Sequence, residues 1–463
     1  MSADWPLKRI SEVAQFLNNK RVPLKSLDRE KRQGQYPYYG ASGIVDHIDD
    51  FIFDGTYLLI SEDGENLRTR NTPIAFKAHG KFWVNNHAHI LGEKEEGILD
   101  YLEYYFSQLD LTPYITGAVQ PKLNKANLDR IEIPVPPHHE RLEINRVLND
   151  LTDKIQLNHQ INQTLEQMAQ AIFKSWFVDF EPVKAKIAVL EAGGSAADAE
   201  LAAMQAISGK DADLLAQMAA EKPEQYAELQ ATAALFPTAM HNSELGEIPE
   251  GWSVSALGDI AKIVKGKSYK SAELSNSATA LVTLKSFNRG GGYRLDGLKE
   301  YTGKYKPEQE VSAGDLIISY TDVTQAADVI GKPAMVIGDA RYEHLVISLD
   351  VAVVRPQDDS LKPYLYGLAK TDDFQFHTKS FTTGTTVLHL AKNAVPDYQF
   401  PLPTKNLTDA YASQVKPLFS LIDNQIQEGR SLEELRDALL PKLLSGELTL
   451  PEAENQLQDV ANV

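Results

Sequence analysis

Thr116-Gly117-Ala118-Val119-Gln120-Pro121-Lys122-Leu123 and Thr383-Gly384-Thr385-Thr386-Val387-Leu388-His389-Leu390 open two parallel stretches of this 463-residue chain. The first runs through Ile133-Pro134-Val135-Pro136 into a heptad pattern ending at Trp176-Phe177. The second runs through Phe400-Pro401-Leu402-Pro403 into heptads ending at Leu443-Leu444. The offset is 267 residues throughout, with identical pairs at Thr116/Thr383, Gly117/Gly384, Leu123/Leu390, Lys125/Lys392, Pro134/Pro401 and Pro136/Pro403. A period this long means duplicated domains, because solenoid repeats recur every 20 to 50 residues or so.

The heptads carry the mechanical idea. In the first copy one row reads Leu148, Ile155, Asn162, Ala169, Trp176 and the other Ile144, Leu151, Asn158, Leu165, Ile172. In the second copy the rows are Val415, Ile422, Gly429, Arg436, Leu443 and Tyr411, Leu418, Gln425, Leu432, Leu439. These are a/d patterns of coiled-coil type, and both turn polar in the middle. Polar groups at such positions cost stability and fix register. Two amphipathic helices on separate domains would also show heptads. The matched phase and matched polar centre point to the two helices packing on each other.

Working outward, both halves open alike. Trp5-Pro-Leu-Lys-Arg-Ile10-Ser-Glu-Val13-Ala14 aligns with Trp252-Ser-Val-Ser-Ala-Leu257-Gly-Asp-Ile260-Ala261. A basic cluster follows in each: Lys20, Arg21, Lys25, Arg29, Lys31 and Arg32, then Lys262, Lys265, Lys267 and Lys270. Strand-like runs stand at Tyr57–Ile60, Ile74–Phe76 and His89–Leu91, and again at Leu281–Leu284, Asp315–Tyr320 and Val351–Val354. Ile98 to Leu109 reads as a helix with Leu99, Leu102, Tyr105, Phe106 and Leu109 on one face, and Leu361 to Leu368 is its counterpart. Each Pro-x-Pro blocks helix and marks the exit into a long one. Residues 183 to 248 differ: Ala-rich, acidic and broken at Gly193-Gly194 and Ser208-Gly209, they read as short helices. The fold expected is α+β, with two globular mixed α/β domains separated by two long antiparallel coiled-coil helices. The limits are 1–137 and 249–403 for the domains, 138–182 and 404–447 for the helices, 183–248 for the helical insertion and 448–463 for a tail.

Composition narrows the function. No run approaches the roughly 20 apolar residues of a membrane span, and the start lacks a charged-then-apolar signal, so a cytoplasmic location is expected. With no cysteine, disulfides, thiol nucleophiles and thiolate metal sites are excluded. The net charge of −18 seems to argue against nucleic acid. Yet residues 1–137 carry 16 Lys+Arg against 19 Asp+Glu, and residues 251–403 carry 17 against 17. The acid sits on the connecting parts, and a local basic patch is the relevant footprint.

Catalytic motifs are mostly missing. Ala261 to Ser268 fits a relaxed phosphate loop, but no helix pattern follows it and its first copy has none. His87 and His89 share a strand face without a third ligand at a telling spacing, so structural histidines are expected. Glu62-Asp63-x-Glu65 lacks the Lys of a nuclease cluster and reads as a turn or a polar loop facing DNA. There is no Gly-rich dinucleotide loop and no Asp/Asn-Pro-Pro-aromatic motif of amino-methyltransferases. The chain reads as non-catalytic.

The residues resemble the specificity subunit of type I restriction-modification systems. The resemblance is carried by Glu247-Ile-Pro-Glu-Gly-Trp252, by Asn85-Asn86-His87-Ala88-His89 and by Phe173-Lys-Ser-Trp176-Phe177-Val-Asp-Phe180-Glu-Pro182. It extends to Leu435-Arg436-Asp437-Ala-Leu439-Leu440-Pro441-Lys442-Leu443-Leu444-Ser-Gly446-Glu and covers nearly the whole chain. It implies two target recognition domains, each reading half of a split double-stranded DNA target. It also implies docking of two methyltransferase subunits that use S-adenosylmethionine, and of motor/nuclease subunits that use ATP and Mg, with no cofactor in this chain. Base readout needs paired donors and acceptors, while phosphate contacts position them. Candidate readers are Ser61, Glu62, Asp63, Arg68 and Arg70, and Tyr320, Thr321, Thr324 and Gln325. The Thr-Gly turns add Gln120 and Lys122, and Thr385, Thr386 and His389. Lys20, Arg21, Lys25, Lys265, Lys267 and Lys270 are the expected phosphate contacts. The alternatives are a self-contained DNA-modifying enzyme with cryptic motifs and a coiled-coil scaffold without DNA affinity.

Overall fold

A computed structural model describes residues 4–324, 326–448 and 452. Contacts divide the chain into two compact units, residues 1–159 with 427–463 and residues 160–426. The two expected long helices form, at His138–Phe177 and Lys405–Ser445. Packing divides each between the units, at His159/Gln160 and at Ile426/Gln427.

In the first unit the two helices meet antiparallel. Ile144, Val147, Leu148 and Leu151 share one core with Leu439, Leu440, Leu443 and Leu444. Further along, the Asn158 amide donates to Glu428 at 2.9 Å and Lys154 pairs with the same carboxylate at 3.3 Å. Asn158 is fully buried, so the polar centre of the heptads does fix a register. Each buried Leu of this seam contributes about 1.5–3 kcal/mol. The same core takes in Ile10, Val13, Leu58, Ile60, Leu91, Tyr101 and Ile133, so the globular domain and its stretch of helix pair are one packed body. In the second unit Phe173, Trp176 and Phe177 surround Tyr411, and that core runs on through Trp252, Leu257, Leu316 and Tyr364. The duplicated tryptophan segment is thus core in the second copy, and Trp5 packs partly buried in the first.

The globular parts repeat the same sheet. In the first unit four antiparallel strands lie in the order Ala14–Phe16, Ala88–Glu93, Tyr57–Ser61, Ala75–Ala78. In the second the order is Ala261–Lys265, Val351–Pro356, Leu316–Ser319, Pro333–Met335. A second small sheet joins each, and these differ in pairing. The predicted helices lie at Ile98–Gln108 and Lys362–Ala369. Each sends a tyrosine hydroxyl to the Pro-x-Pro exit, Tyr101 to the Pro134 carbonyl at 2.7 Å and Tyr364 to that of Pro401 at 2.9 Å. The exits themselves are short strands, paired with Leu7–Arg9 and Ser253–Ala256. Four helices between Glu181 and Ala234 fill the Ala-rich stretch, and a hairpin at Met240–Ser243 and Gly246–Pro249 that its sequence did not announce follows them.

Candidate nucleic-acid interface

The Thr-Gly stretches fold as hairpins at the end of each four-stranded sheet. Thr116 pairs with Lys122, and Thr383 with His389, 267 residues on. Gly117 and Gly384 take φ of +88° and +109°, and a Cβ there would sit 2.2 and 2.1 Å from the Gln120 and Val387 carbonyl oxygens. Only glycine closes these turns, which is why the pair is identical. In both repeats the strand end then docks on the hairpin. The Leu123 amide donates to the Glu62 carbonyl at 2.7 Å, and the Leu390 amide to that of Tyr320 at 2.9 Å.

In the first unit a charged network floors this end. Glu62 accepts from Arg21 at 2.6 Å and lies 3.5 Å from Lys122 and 3.7 Å from His89. Burial pushes its carboxyl up, but the Arg21 hydrogen bond and the charges of His89, Arg21 and Lys122 outweigh it and hold the carboxyl below its usual value. His89 is fully buried, bonded to Asn18 at 2.8 Å and to the Leu123 carbonyl at 2.7 Å. Burial holds its imidazole below the ordinary value. It is the structural histidine expected, and His87 faces Asp63 at 2.9 Å.

Several candidate readers are engaged inside the fold. Arg21 also donates to the Ala88 carbonyl at 2.8 Å, and its side chain is only 15% exposed. It is a pin between strands, engaged inside the fold. Arg70 donates to the carbonyls of Phe106, Ser107 and Leu109, capping the helix end where cations are favoured. Arg68 holds the hairpin tip through the Gly117 carbonyl at 2.8 Å. Ser61 is fully buried and bonded to the Ala41 carbonyl, and Tyr320 and Thr321 are buried, so these three form floor rather than reading surface. Thr324 is held by Asp322 at 2.9 Å. Gln325 lies outside the described residues.

The remaining candidates gather at the surface. Gln120 and Lys122 stand exposed on one hairpin and Thr385, Thr386 and His389 on the other. Lys20, Lys25, Lys265 and Lys270 are exposed and Lys267 half-exposed. The relaxed phosphate loop is absent as expected. Strand Ala261–Lys265 runs into Gly266, whose Cβ would meet the Ile347 carbonyl oxygen at 2.2 Å, and no helix follows directly. Lys392 was missed as a candidate. Its charge acts on Lys265, and its signal was its identity with Lys125 at the repeat offset.

Known proteins match this architecture. The family model described as "Type I restriction modification DNA specificity domain" matches residues 2–167 and 249–433. The type I restriction enzyme HindI specificity subunit of Haemophilus influenzae is 31% identical over 338 residues, 71% of each chain. The MjaIX specificity subunit of Methanocaldococcus jannaschii is 24% identical over 97% of this chain and 94% of its own. The crystal structure of the type I restriction-modification S subunit from M. genitalium shares the fold, with a TM-score of 0.52 at 14% identity over 96% of this chain and 97% of that one.

Proposed function

This chain belongs to the type I restriction-modification DNA specificity family, and from that premise we propose that it is the recognition subunit of such a complex. Its two repeats read the two halves of a split DNA target. The observation that carries this reading is the duplicated end of the sheet: the same strand order, the same Thr-Gly hairpin and an exposed lysine there in each copy, Lys122 beside Glu62 and Lys265 over Tyr320. Gln120, Lys122, Thr385, Thr386 and His389 stand where base edges or phosphates are met. Lys20, Lys25, Lys267 and Lys270 supply sequence-independent attraction.

Catalysis belongs to partners in this reading. Two methyltransferase subunits would dock on the helical regions and methylate adenine with S-adenosylmethionine, and motor/nuclease subunits would bring ATP and Mg. The complex would work in the cytoplasm, and no helix among the described residues is long and apolar enough to cross a membrane. The test is co-expression with the neighbouring methyltransferase followed by genome-wide mapping of methylated adenines. A split motif whose modification requires this chain is the expected result. Methylation or cleavage by the purified chain alone would instead establish a self-contained enzyme.

A further inference from the structure

The two repeats can be compared residue by residue through their hydrogen bonds. The Ser61 amide donates to the Ile74 carbonyl as that of Ser319 does to Lys332. The Glu62 amide donates to the His87 carbonyl at 2.9 Å as that of Tyr320 does to Asp350 at 2.7 Å. Glu62 and Tyr320 therefore occupy one position. In the first repeat that position is a carboxylate, and it offsets one of the two positive charges around it, Arg21 at 2.6 Å and Lys122 at 3.5 Å. In the second it is an aromatic ring, and the Lys265 ammonium sits 4.4 Å from its centre. The Leu390 amide donates to the Tyr320 carbonyl at 2.9 Å, which brings Lys392, two residues on, to the same end of the sheet as Lys265, and its positive charge acts on Lys265. Among the described residues no carboxylate lies within ion-pairing distance of Lys265, Lys267 or Lys392. The nearby Asp322 is occupied by backbone N–H groups of Thr324, Val329 and Ile330.

A ring face steadies an ammonium by about 0.5–2 kcal/mol and carries no net charge, so Lys265 has beside it no counterpart of the carboxylate that Glu62 supplies in the first repeat. We infer that the second domain holds a phosphodiester oxygen of DNA between Lys265 and Lys392, at the place the first domain fills with its own Glu62. This rests on the DNA-reading function proposed above. Lys265 and Lys392 are then a phosphate anchor of the second domain.

The test uses the complex of this chain with its methyltransferase and a duplex carrying the mapped target. The reading of the chain as DNA-binding stands or falls on the unaltered complex, which must bind that duplex with a salt-dependent affinity. The anchor is tested by variants. Each phosphate contact contributes about 0.9 to the slope of log affinity against log salt. Lys265→Gln should flatten the slope by about that amount and weaken binding several-fold whatever the base sequence. Arg21→Gln should lower thermal stability and leave the slope alone. A single neutral methylphosphonate under the second half-site should reproduce the Lys265→Gln loss in the unaltered protein and add nothing to that variant. An unchanged slope in Lys265→Gln, or an equal flattening in Arg21→Gln, overturns the inference. So does protection of Lys265 from acetylation by inorganic phosphate as strong as that by the duplex, which would mark a site for free phosphate.

Discussion

Replacing Arg21 by Ala leaves the Glu62 carboxylate, 12% exposed, without its nearest donor. Breaking a largely enclosed pair in this way costs about 2–4 kcal/mol, mostly from the group left behind. Thermal unfolding should show that loss for Arg21→Ala, and the double variant Arg21→Ala/Glu62→Gln should recover a good part of it. The pair also sets a pH dependence. The Glu62 carboxyl is held below its usual value. Its contribution is therefore complete above the ordinary carboxylate pKa of about 4.3 and is lost as pH falls through the depressed folded value. Between about pH 5 and 3 the unaltered protein should lose stability more steeply than Glu62→Gln, and equal slopes by acid titration would contradict this. The sequence showed the charge of Arg21 and not its partner, which lies 41 residues away across a strand. That is why a cluster of six basic residues read as one face. Arg29 and Arg32 are likewise tied to Asp46 and Asp49 at 2.9 and 2.8 Å, leaving Lys20, Lys25 and Lys31 as the exposed remainder.

At the level of elements, the hairpins make the sharpest demand on residue type. Gly117→Ala puts a Cβ against the Gln120 carbonyl at a φ that L side chains rarely adopt, and Gly384→Ala does the same against Val387. Strain of this kind costs about 1–3 kcal/mol and should open the turn rather than the sheet behind it. Hydrogen exchange should therefore rise at the Lys122 amide, bonded to the Thr116 carbonyl, in Gly117→Ala, while Leu59 stays protected. Methylation should fall in both variants, and full protection at Lys122 would show that the turn tolerates the methyl. These hairpins were legible because glycine, threonine and spacing recur together. The helix at Ile98–Gln108 and the core strands were legible from period alone. The accessory sheets were not. In the second unit Thr279–Val282 pairs in parallel with His344–Ile347, across a separation that no local pattern reports. The hairpin after the Ala-rich helices was missed because Asn242 to Glu247 is polar and short, with no alternation to mark it.

For the whole molecule, the duplication predicts separable reading. Transplanting residues 249 to 403 from a relative of different specificity should change one half of the methylated motif and leave the other intact, since the cut points fall at the repeated Trp252 segment and Pro403. A change in both halves would contradict independent recognition. The helix pair gives the last prediction. The two helices have 40 and 41 residues and so extend about 60 Å at 1.5 Å per residue, beyond the roughly 34 Å of one DNA turn. They are long enough to set the unread spacer between half-sites. The antiparallel register, with Asn158 opposite Glu428, makes Asn162 and Asn424 matched positions for an insertion in both helices. Four residues add about 6 Å and about 40° of rotation beyond a full turn. By length that equals nearly two base pairs, and by rotation about one, since a base pair of duplex turns roughly 35°. The variant should therefore methylate a motif with the same two half-sites and a spacer one or two base pairs longer. Thermal unfolding separates a ruined seam from a rejected spacer, and a folded, active variant that keeps its original spacer would refute the helix pair as the ruler.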